Sequence, residues 1–133
     1  MNGDDLVRLA REAQDHAYAP YSGFRVGAAL LGEDGTVFRG SNVENVSYGL
    51  TICAERGAVA AAVSAGVRAF EVIAVVTDAD EPVWPCGACR QVLAEFAPSL
   101  RVIAEGGGRR EEKTLEELLP ASFREIPARP ERG

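Results

Sequence analysis

Three cysteines stand in two short segments whose spacing is typical of a metal site. Cys86 and Cys89 are separated by two residues in the segment PCGAC, and Cys53 begins the upstream segment CAER. Two sulfurs at this spacing within one helical turn can reach a single ion at the roughly 2.3 Å of a zinc–thiolate bond. The pattern therefore predicts one zinc ion held by Cys53, Cys86 and Cys89. The alternative is that these are small buried apolar residues, which is common for free cysteine.

A fourth residue of the same segments gives the predicted metal site a proton carrier. Three protein ligands on a tetrahedral zinc leave one position for water, whose pKa then falls to about 7. Glu55 lies two residues after Cys53, close enough to touch that water without binding the metal. Three thiolates overcompensate a divalent ion, and Arg56 together with two helix N-termini offsets their charge. The pattern indicates hydrolytic chemistry with Glu55 moving the protons.

The elements that must position these residues alternate between helix and strand. Apolar spacing predicts a first helix from Leu6 to Ala17, with Asp4 or Asp5 as its cap and Pro20 as its stop. Turn residues 32–35 separate two short apolar runs and predict a β-hairpin. The other predicted elements are a helix over 53–65 capped by Thr51 and closed by Gly66, a buried strand over 72–76, a helix from Pro85 to Pro98, a strand over 100–104, a turn at 106–108, and a short helix begun by the capping box at Thr114. This order implies a three-layer α/β sandwich.

Length and charge narrow the class of protein. The 133 residues suit one domain, which we expect over residues 1–126, with a disordered charged tail over 127–133. A net charge of −6 argues against polynucleotide binding, which needs a basic surface. No apolar run approaches the roughly 18 residues that span a bilayer. The start of the chain has no signal-peptide pattern, and an odd number of cysteines argues against disulfides, so we expect a cytoplasmic protein.

The two cysteine segments together resemble the zinc deaminases of nucleosides and nucleobases. Further segments narrow the resemblance to the small cytidine deaminase family: YAPYS at 18–22, FRVGAA at 24–29, NVEN at 42–45 and CAER at 53–56. The likeness extends from Leu6 to about Phe123. It implies a mixed central sheet of about five strands, one zinc ion per subunit, and a homotetramer with active sites completed across interfaces.

The resemblance also implies an activity and a set of substrate contacts. The expected reaction is hydrolysis of cytidine and deoxycytidine to uridine and deoxyuridine with release of ammonia, in which zinc-bound hydroxide attacks C4 of cytosine and Glu55 shuttles protons. Asn42 and Glu44 match residues that bind the sugar, and Arg56 matches an arginine that hydrogen-bonds the ligand thiolates. The remaining substrate contacts implied are Phe24 as a wall of the base pocket, Ala54, Tyr48 near a subunit boundary, and Phe123 from a neighbouring subunit.

Three alternatives stay open at the level of sequence. The segment WPCGAC is also compatible with a thioredoxin-like redox protein that uses Cys86 and Cys89, although this leaves Cys53 unexplained. His16 is the single histidine and could close a purely structural zinc site, but it lies outside any ligand spacing. The substrate could also be another cytosine-containing nucleoside, a nucleotide or a nucleoside antibiotic.

Overall fold

A computed structural model describes residues 1–128 of the chain, so residues 129–133 of the predicted tail lie outside the described part. The helices and strands, in chain order, are α1 Gly3–Gln14, β1 Val26–Gly32, β2 Val37–Ser41, α2 Ala54–Ser64, β3 Phe70–Thr77, α3 Gly87–Phe96, β4 Arg101–Gly106, β5 Arg109–Thr114 and α4 Leu115–Leu118. A single 3-10 turn, Tyr48–Leu50, precedes α2. None of the described helices has the length and hydropathy that a membrane span requires.

The five strands form one mixed sheet in the order β2-β1-β3-β4-β5. β3 and β4 run parallel, and every other neighbouring pair is antiparallel. β3 lies at the centre and is buried along nearly its whole length, as its continuous apolar run predicts. Because β3 and β4 are parallel, their carboxyl ends open at the same edge of the sheet, which is where ligands bind in open α/β sheets.

Helices cover both faces of the sheet and confirm the predicted three-layer sandwich. Leu6, Val7 and Ala10 of α1 pack on one face against side chains of β1, β3 and β4. On the opposite face, Ala58 of α2 and Leu93 of α3 share a second core with other side chains of the same strands. The alternation of strand side chains between two faces supplies both cores from one sheet.

Several predicted helix ends are wrong by a few residues. Asn2, not Asp4 or Asp5, caps α1, and Asp5 completes a capping box by bonding back to Asn2. The helix ends at Gln14, well before Pro20. Cys53 occupies the N-cap position of α2, while the Thr51 hydroxyl accepts instead from the Asn45 amide. Pro85 likewise lies just outside α3, whose N-cap is Cys86.

The edge strand β5 was not predicted from the residue pattern. Its residues 109–113 are all exposed and charged, so they show no apolar alternation. Pairing with the buried strand β4 is what makes this segment a strand, and an ion pair between Arg101 and Glu112 crosses the two strands. Charged side chains on an edge strand also discourage pairing with other chains.

Two glycines let backbone segments approach each other closely. A Cβ on Gly40 of β2 would lie 2.1 Å from the Ala54 carbonyl oxygen and 2.6 Å from the Ala58 nitrogen, both in α2. Gly107, in the turn between β4 and β5, has a φ of +60°, and its Cβ would lie 1.8 Å from the Asp80 carbonyl oxygen. These positions require glycine because no side chain fits between the two backbones.

Candidate active site

The three cysteines converge at the ends of two helices. Cys53 and Cys86 are the N-caps of α2 and α3, and Cys89 lies in the first turn of α3. Their Sγ atoms all lie within 4.8 Å of one another. Three sulfurs on a tetrahedral zinc stand about 3.8 Å apart, given bonds of about 2.3 Å. The cluster is therefore close to the geometry that a zinc ion imposes.

Hydrogen bonds among the sulfurs and from Arg56 favour a thiolate at Cys53. A hydrogen bond from the Cys89 thiol, with further help from Arg56, lowers the pKa of Cys53 to about 5. The pKa of Cys89 is raised because its proton is held against the Cys53 sulfur and because the thiol is buried. Because metal binding requires deprotonated cysteines, a thiolate already present at neutral pH favours the binding of a cation.

Arg56 supplies positive charge next to the sulfurs. One guanidinium nitrogen, Nη2, donates to the Thr51 carbonyl at 3.1 Å and lies 3.9 Å from the Cys53 Sγ. Its Nε is buried and has no hydrogen-bond partner among the described residues. The bond to Cys53 raises the pKa of Arg56, so this cation stays charged beside the thiolates. Three soft sulfur ligands and a neighbouring cation fit zinc well.

Glu55 faces the same site from the first turn of α2. Only 5% of the residue is exposed, and this burial raises the pKa of its carboxyl group above the ordinary value for glutamate. Glu55 lines a cavity of about 220 Å³ together with Cys53 and Cys86. A carboxyl group with a raised pKa beside a metal site is suited to take up and release protons near neutral pH.

The walls of this cavity are largely apolar and come from several elements. Phe24, Asn42 and Ala54, three of the residues implied by resemblance, line it. Val75 and Thr77 at the end of β3, together with Trp84, also line it and were missed by the sequence analysis. Val75 and Thr77 lie at the carboxyl end of a central strand, and ligands bind at such strand ends in open α/β sheets, so their position could have predicted a place in the site. An apolar cavity of this size with few polar groups fits a flat heterocyclic base.

Asn42 connects the backbone of two residues that line the cavity, Phe24 and Val26. The residue is buried, its Oδ1 accepts from the Val26 amide at 2.9 Å, and its Nδ2 donates to the Phe24 carbonyl at 2.8 Å. One N–H and further acceptor capacity of the amide remain for a ligand. Asn42 therefore fixes the backbone next to Phe24 whatever else it binds.

Glu44 and Tyr48 line a second cavity of about 360 Å³, which shares Thr51 with the first. The Glu44 carboxylate accepts from the backbone amides of Tyr21 and Ser22, at 2.9 and 3.1 Å, and from the Ser22 hydroxyl. The hydroxyl bond is the main reason that the pKa of Glu44 is lowered. The Ser22 hydroxyl also accepts from the Phe24 amide at 3.0 Å. The sequence pattern did not predict this role of Ser22.

Two residues considered in the sequence analysis lie away from these cavities. The side chain of Phe123 is on the surface, with 66% of the residue exposed, and its carbonyl accepts from Gln91 at 2.6 Å. His16 is exposed in the turn after α1 and does not belong to the cysteine cluster. Within the described chain, the cluster therefore consists of the three cysteines, and His16 does not join it to close a structural zinc site.

Comparison with known proteins gives a consistent result. Residues 2–105 match the model of the cytidine and deoxycytidylate deaminase zinc-binding region. The chain is 51% identical to the cytidine deaminase of Sporosarcina psychrophila, with 92% of each chain covered. It is 52% identical to the cytidine deaminase of Halalkalibacterium halodurans over 92% of this chain and 95% of that one. The crystal structure of cytidine deaminase from Burkholderia pseudomallei has a TM-score of 0.90 at 48% identity, covering 92% of this chain and all of that one.

Proposed function

Because the chain belongs to the cytidine and deoxycytidylate deaminase family, we propose that it hydrolyses cytidine and deoxycytidine to uridine and deoxyuridine, releasing ammonia. The observation that carries this proposal is that Glu55 lines the same small apolar cavity as Cys53 and Cys86, beside the convergent Cys89. A thioredoxin-like role is not favoured, because Cys86 and Cys89 lie together with a third sulfur.

In this reaction, Cys53, Cys86 and Cys89 hold one zinc ion. The ion, when bound, supplies a Lewis acid that lowers the pKa of water and provides a nucleophile at neutral pH. Glu55 accepts a proton from the attacking water, passes it to N3 of cytosine, and then carries a proton to the departing amine. Burial of Glu55 keeps its pKa raised, so that the same carboxyl group can both accept and donate a proton.

Substrate contacts follow the division into two cavities. The base enters the cavity beside the cysteines, where Phe24 packs on its ring and Ala54 lies next to the reacting edge. The sugar lies towards Asn42 and Glu44, whose remaining hydrogen-bonding capacity is available to its hydroxyls, and Tyr48 lines the same second cavity as Glu44. Two carboxylates, Glu44 and Glu55, along this path disfavour a phosphorylated substrate.

We also propose that the active protein is a homotetramer. Apolar side chains are exposed along residues 43–52, among them Val46, Tyr48 and Leu50. Exposed apolar surface of this kind is typical of protein interfaces. In the assembly a neighbouring subunit supplies Phe123 to the base. Measurement of the mass in solution by light scattering tests this, since a monomer that turns over cytidine at full rate would contradict it.

The expected location is the cytoplasm. Three cysteines whose sulfurs must remain thiolates need a reducing compartment, since oxidation to a disulfide would remove metal ligands. Detection of the protein in fractionated cells tests this, and an extracellular protein with intact activity would contradict it.

The activity is tested by incubating purified zinc-loaded protein with cytidine or deoxycytidine and following the loss of cytosine absorbance. We expect turnover of both nucleosides, loss of turnover after chelation, and recovery when zinc is returned. A cytosine-containing nucleoside antibiotic and cytidine monophosphate serve as comparison substrates. Absence of turnover by zinc-loaded protein with either nucleoside contradicts the proposal, and reduction of insulin disulfides under the same conditions would support the redox alternative.

A further inference from the structure

We propose that Arg90 is a positioning residue that fixes the turn carrying Cys86 and ties it to the segment leading to Phe123. The inference rests on the proposed function, because it assigns Arg90 to the metal site of that reaction. Arg90 contributes no ligand and touches no substrate. It acts by holding backbone carbonyl groups next to a metal ligand.

The start of α3, from its N-cap Cys86 through its first residues, needs such support because much of it is open to solvent. Cys86, Gly87 and Ala88 are exposed, whereas Cys89 is buried. Within the described residues, no side-chain hydrogen bond caps the helix at Cys86. A ligand on an exposed, uncapped turn has more freedom than one inside the core, and a metal site requires its ligands in fixed positions.

Arg90 is bonded to both residues at the start of this turn. The Nε of its side chain donates to the Pro85 carbonyl at 2.7 Å. Its backbone amide makes the ordinary helical bond to the Cys86 carbonyl at 2.9 Å, which does not depend on the side chain. Pro85 is itself fully buried. The charged donor makes a stronger bond than a neutral one. Arg90 therefore fixes the peptide that precedes Cys86, and this peptide sets where the Cys86 sulfur points.

The second arm of the guanidinium reaches a different part of the chain. Nη1 of Arg90 donates to the Leu118 carbonyl at 2.7 Å, at the end of α4, where carbonyls have no partner within the helix. The neighbouring Gln91 donates to the Phe123 carbonyl at 2.6 Å. Two consecutive side chains of α3 thus hold the segment from Leu118 to Phe123 beside the helix that carries two metal ligands.

The planar guanidinium is what allows both bonds at once. Nε and Nη1 belong to one rigid fork, so the Pro85 and Leu118 carbonyls are held in a fixed relation. A lysine at position 90 carries a single ammonium group and cannot reproduce two donors in this geometry. We expect loss of the fork to loosen the Cys86 turn and the Phe123 segment together, while leaving the Cys53 side of the site intact.

The test compares Arg90→Met and Arg90→Lys with the wild-type chain and with Arg101→Met as a matched control. Arg101 is an exposed arginine of β4 that pairs with Glu112 on the surface. The first readout is the rate of zinc release to a chromogenic chelator. The second is the visible spectrum of the cobalt-substituted protein, whose thiolate-to-metal bands report ligand geometry in the folded fraction. The third is the separation of kcat and KM with cytidine.

We expect zinc release at least tenfold faster in Arg90→Met, since residues that support metal ligands commonly change affinity by 10–100-fold. Its cobalt spectrum should shift, Arg90→Lys should lie between Arg90→Met and wild type, and Arg101→Met should match wild type. Melting of the metal-free proteins separates general destabilisation from an effect on the metal site. Wild-type release and an unchanged cobalt spectrum in folded Arg90→Met would overturn the inference alone. A wild-type chain that binds no metal would overturn it together with the proposed function.

Discussion

The two halves of the metal site are built on different supports. The start of α2 carries Cys53 and Glu55 and lies against the backbone of β2, where Gly40 leaves room for the Ala54 carbonyl. The start of α3 carries Cys86 on an exposed turn that is held by hydrogen bonds from Arg90. Both are helix N-termini, which favour thiolates through their free amides and dipole. Both are packed on the core, but Glu55 of the first is buried whereas Cys86 of the second is exposed.

This difference matches the work that each half is proposed to do. Glu55 must reach water and base with little error, because proton transfer depends on distances of about 2.6–3.2 Å. Packing against a sheet gives that precision, since a close-packed interior resists small displacements. The exposed Cys86 turn has less packing around it and depends more on the hydrogen bond from Arg90 to the Pro85 carbonyl. Substitutions in the two halves should therefore fail in different ways.

The largest expected effect is that of replacing Glu55, which tests whether the proton carrier lies on α2. Glu55→Gln preserves shape and hydrogen bonding but removes the proton carrier, and should lower kcat by about 10²- to 10⁴-fold. Zinc content should remain near one ion per chain. Glu95→Gln, on an exposed position of α3, is the control and should keep wild-type turnover. Steady-state kinetics with metal analysis provide the measurement, and a fully active Glu55→Gln would refute the assignment.

A smaller effect is expected for Arg56, which supports the α2 half by charge. Arg56→Gln removes the cation beside the Cys53 sulfur, so the three thiolates should weaken the Lewis acidity of a bound zinc ion. We expect kcat to fall by about 10- to 100-fold with most of the zinc retained, because no ligand is lost. Turnover at the wild-type rate with equal metal content would count against a role for this charge.

The packing of α2 on β2 is tested by adding one methyl group. Gly40→Ala forces a Cβ against the Ala54 carbonyl and should reduce the free energy of unfolding by about 1–3 kcal/mol. The control is Gly57→Ala in the same interface, where a Cβ would meet its nearest neighbour, Gly40, at 3.8 Å. That change should be neutral or stabilising by about 0.5–1 kcal/mol. Urea unfolding measures both, and equal stabilities would remove the contrast between the halves.

The smallest expected effect concerns the start of the loop that leads to Cys86. Asp78 accepts from the Arg25 amide at 2.8 Å and pairs with the Arg25 side chain. The side-chain bond from Arg25 lowers the pKa of Asp78. The contribution of the Asp78 carboxylate to stability is therefore present above the unfolded pKa of about 3.9. It is lost as the pH falls through the lower pKa of the folded state.

Asp78→Asn should cost about 1 kcal/mol or less at neutral pH, since the pair is largely exposed. The difference from wild type should shrink in acid. Melting curves at neutral and acidic pH, with Asp80→Asn as the control, measure this. A difference that stays constant with pH would show that the charge of Asp78 is irrelevant.

Sequence reasoning succeeded where one strong local pattern decides the structure. The convergence of three cysteines was predicted from spacing at two helix starts, and the structure confirms it. The buried strand β3 and the capping box at Thr114 were likewise predicted from short segments. The sugar-binding roles of Asn42 and Glu44 came only from resemblance and stay predictions, because a turn residue carries no local signal of what it faces.

The failures share a physical cause, which is that contacts with other segments decide the structure where the local residue pattern does not. β5 is all charged and becomes a strand through pairing with β4, so its own residues give no warning. Thr51 is a good cap by residue type, but the N-cap of the helix is Cys53, two residues later, and the Thr51 hydroxyl accepts from the Asn45 amide. Contacts such as Arg90 with Leu118 join distant segments and are set only once the chain has folded.

The separation of the ligands along the chain links metal uptake to folding. An unfolded chain can offer an ion the closely spaced Cys86 and Cys89, but Cys53 joins them only after α2 and α3 pack on the same face of the sheet. The ion therefore makes its third bond, to Cys53, only in the native state. The free energy of this bond adds to the stability of the whole domain by mass action. The melting temperature should consequently depend on the free zinc concentration, so that metal scarcity limits the amount of folded enzyme as well as its turnover.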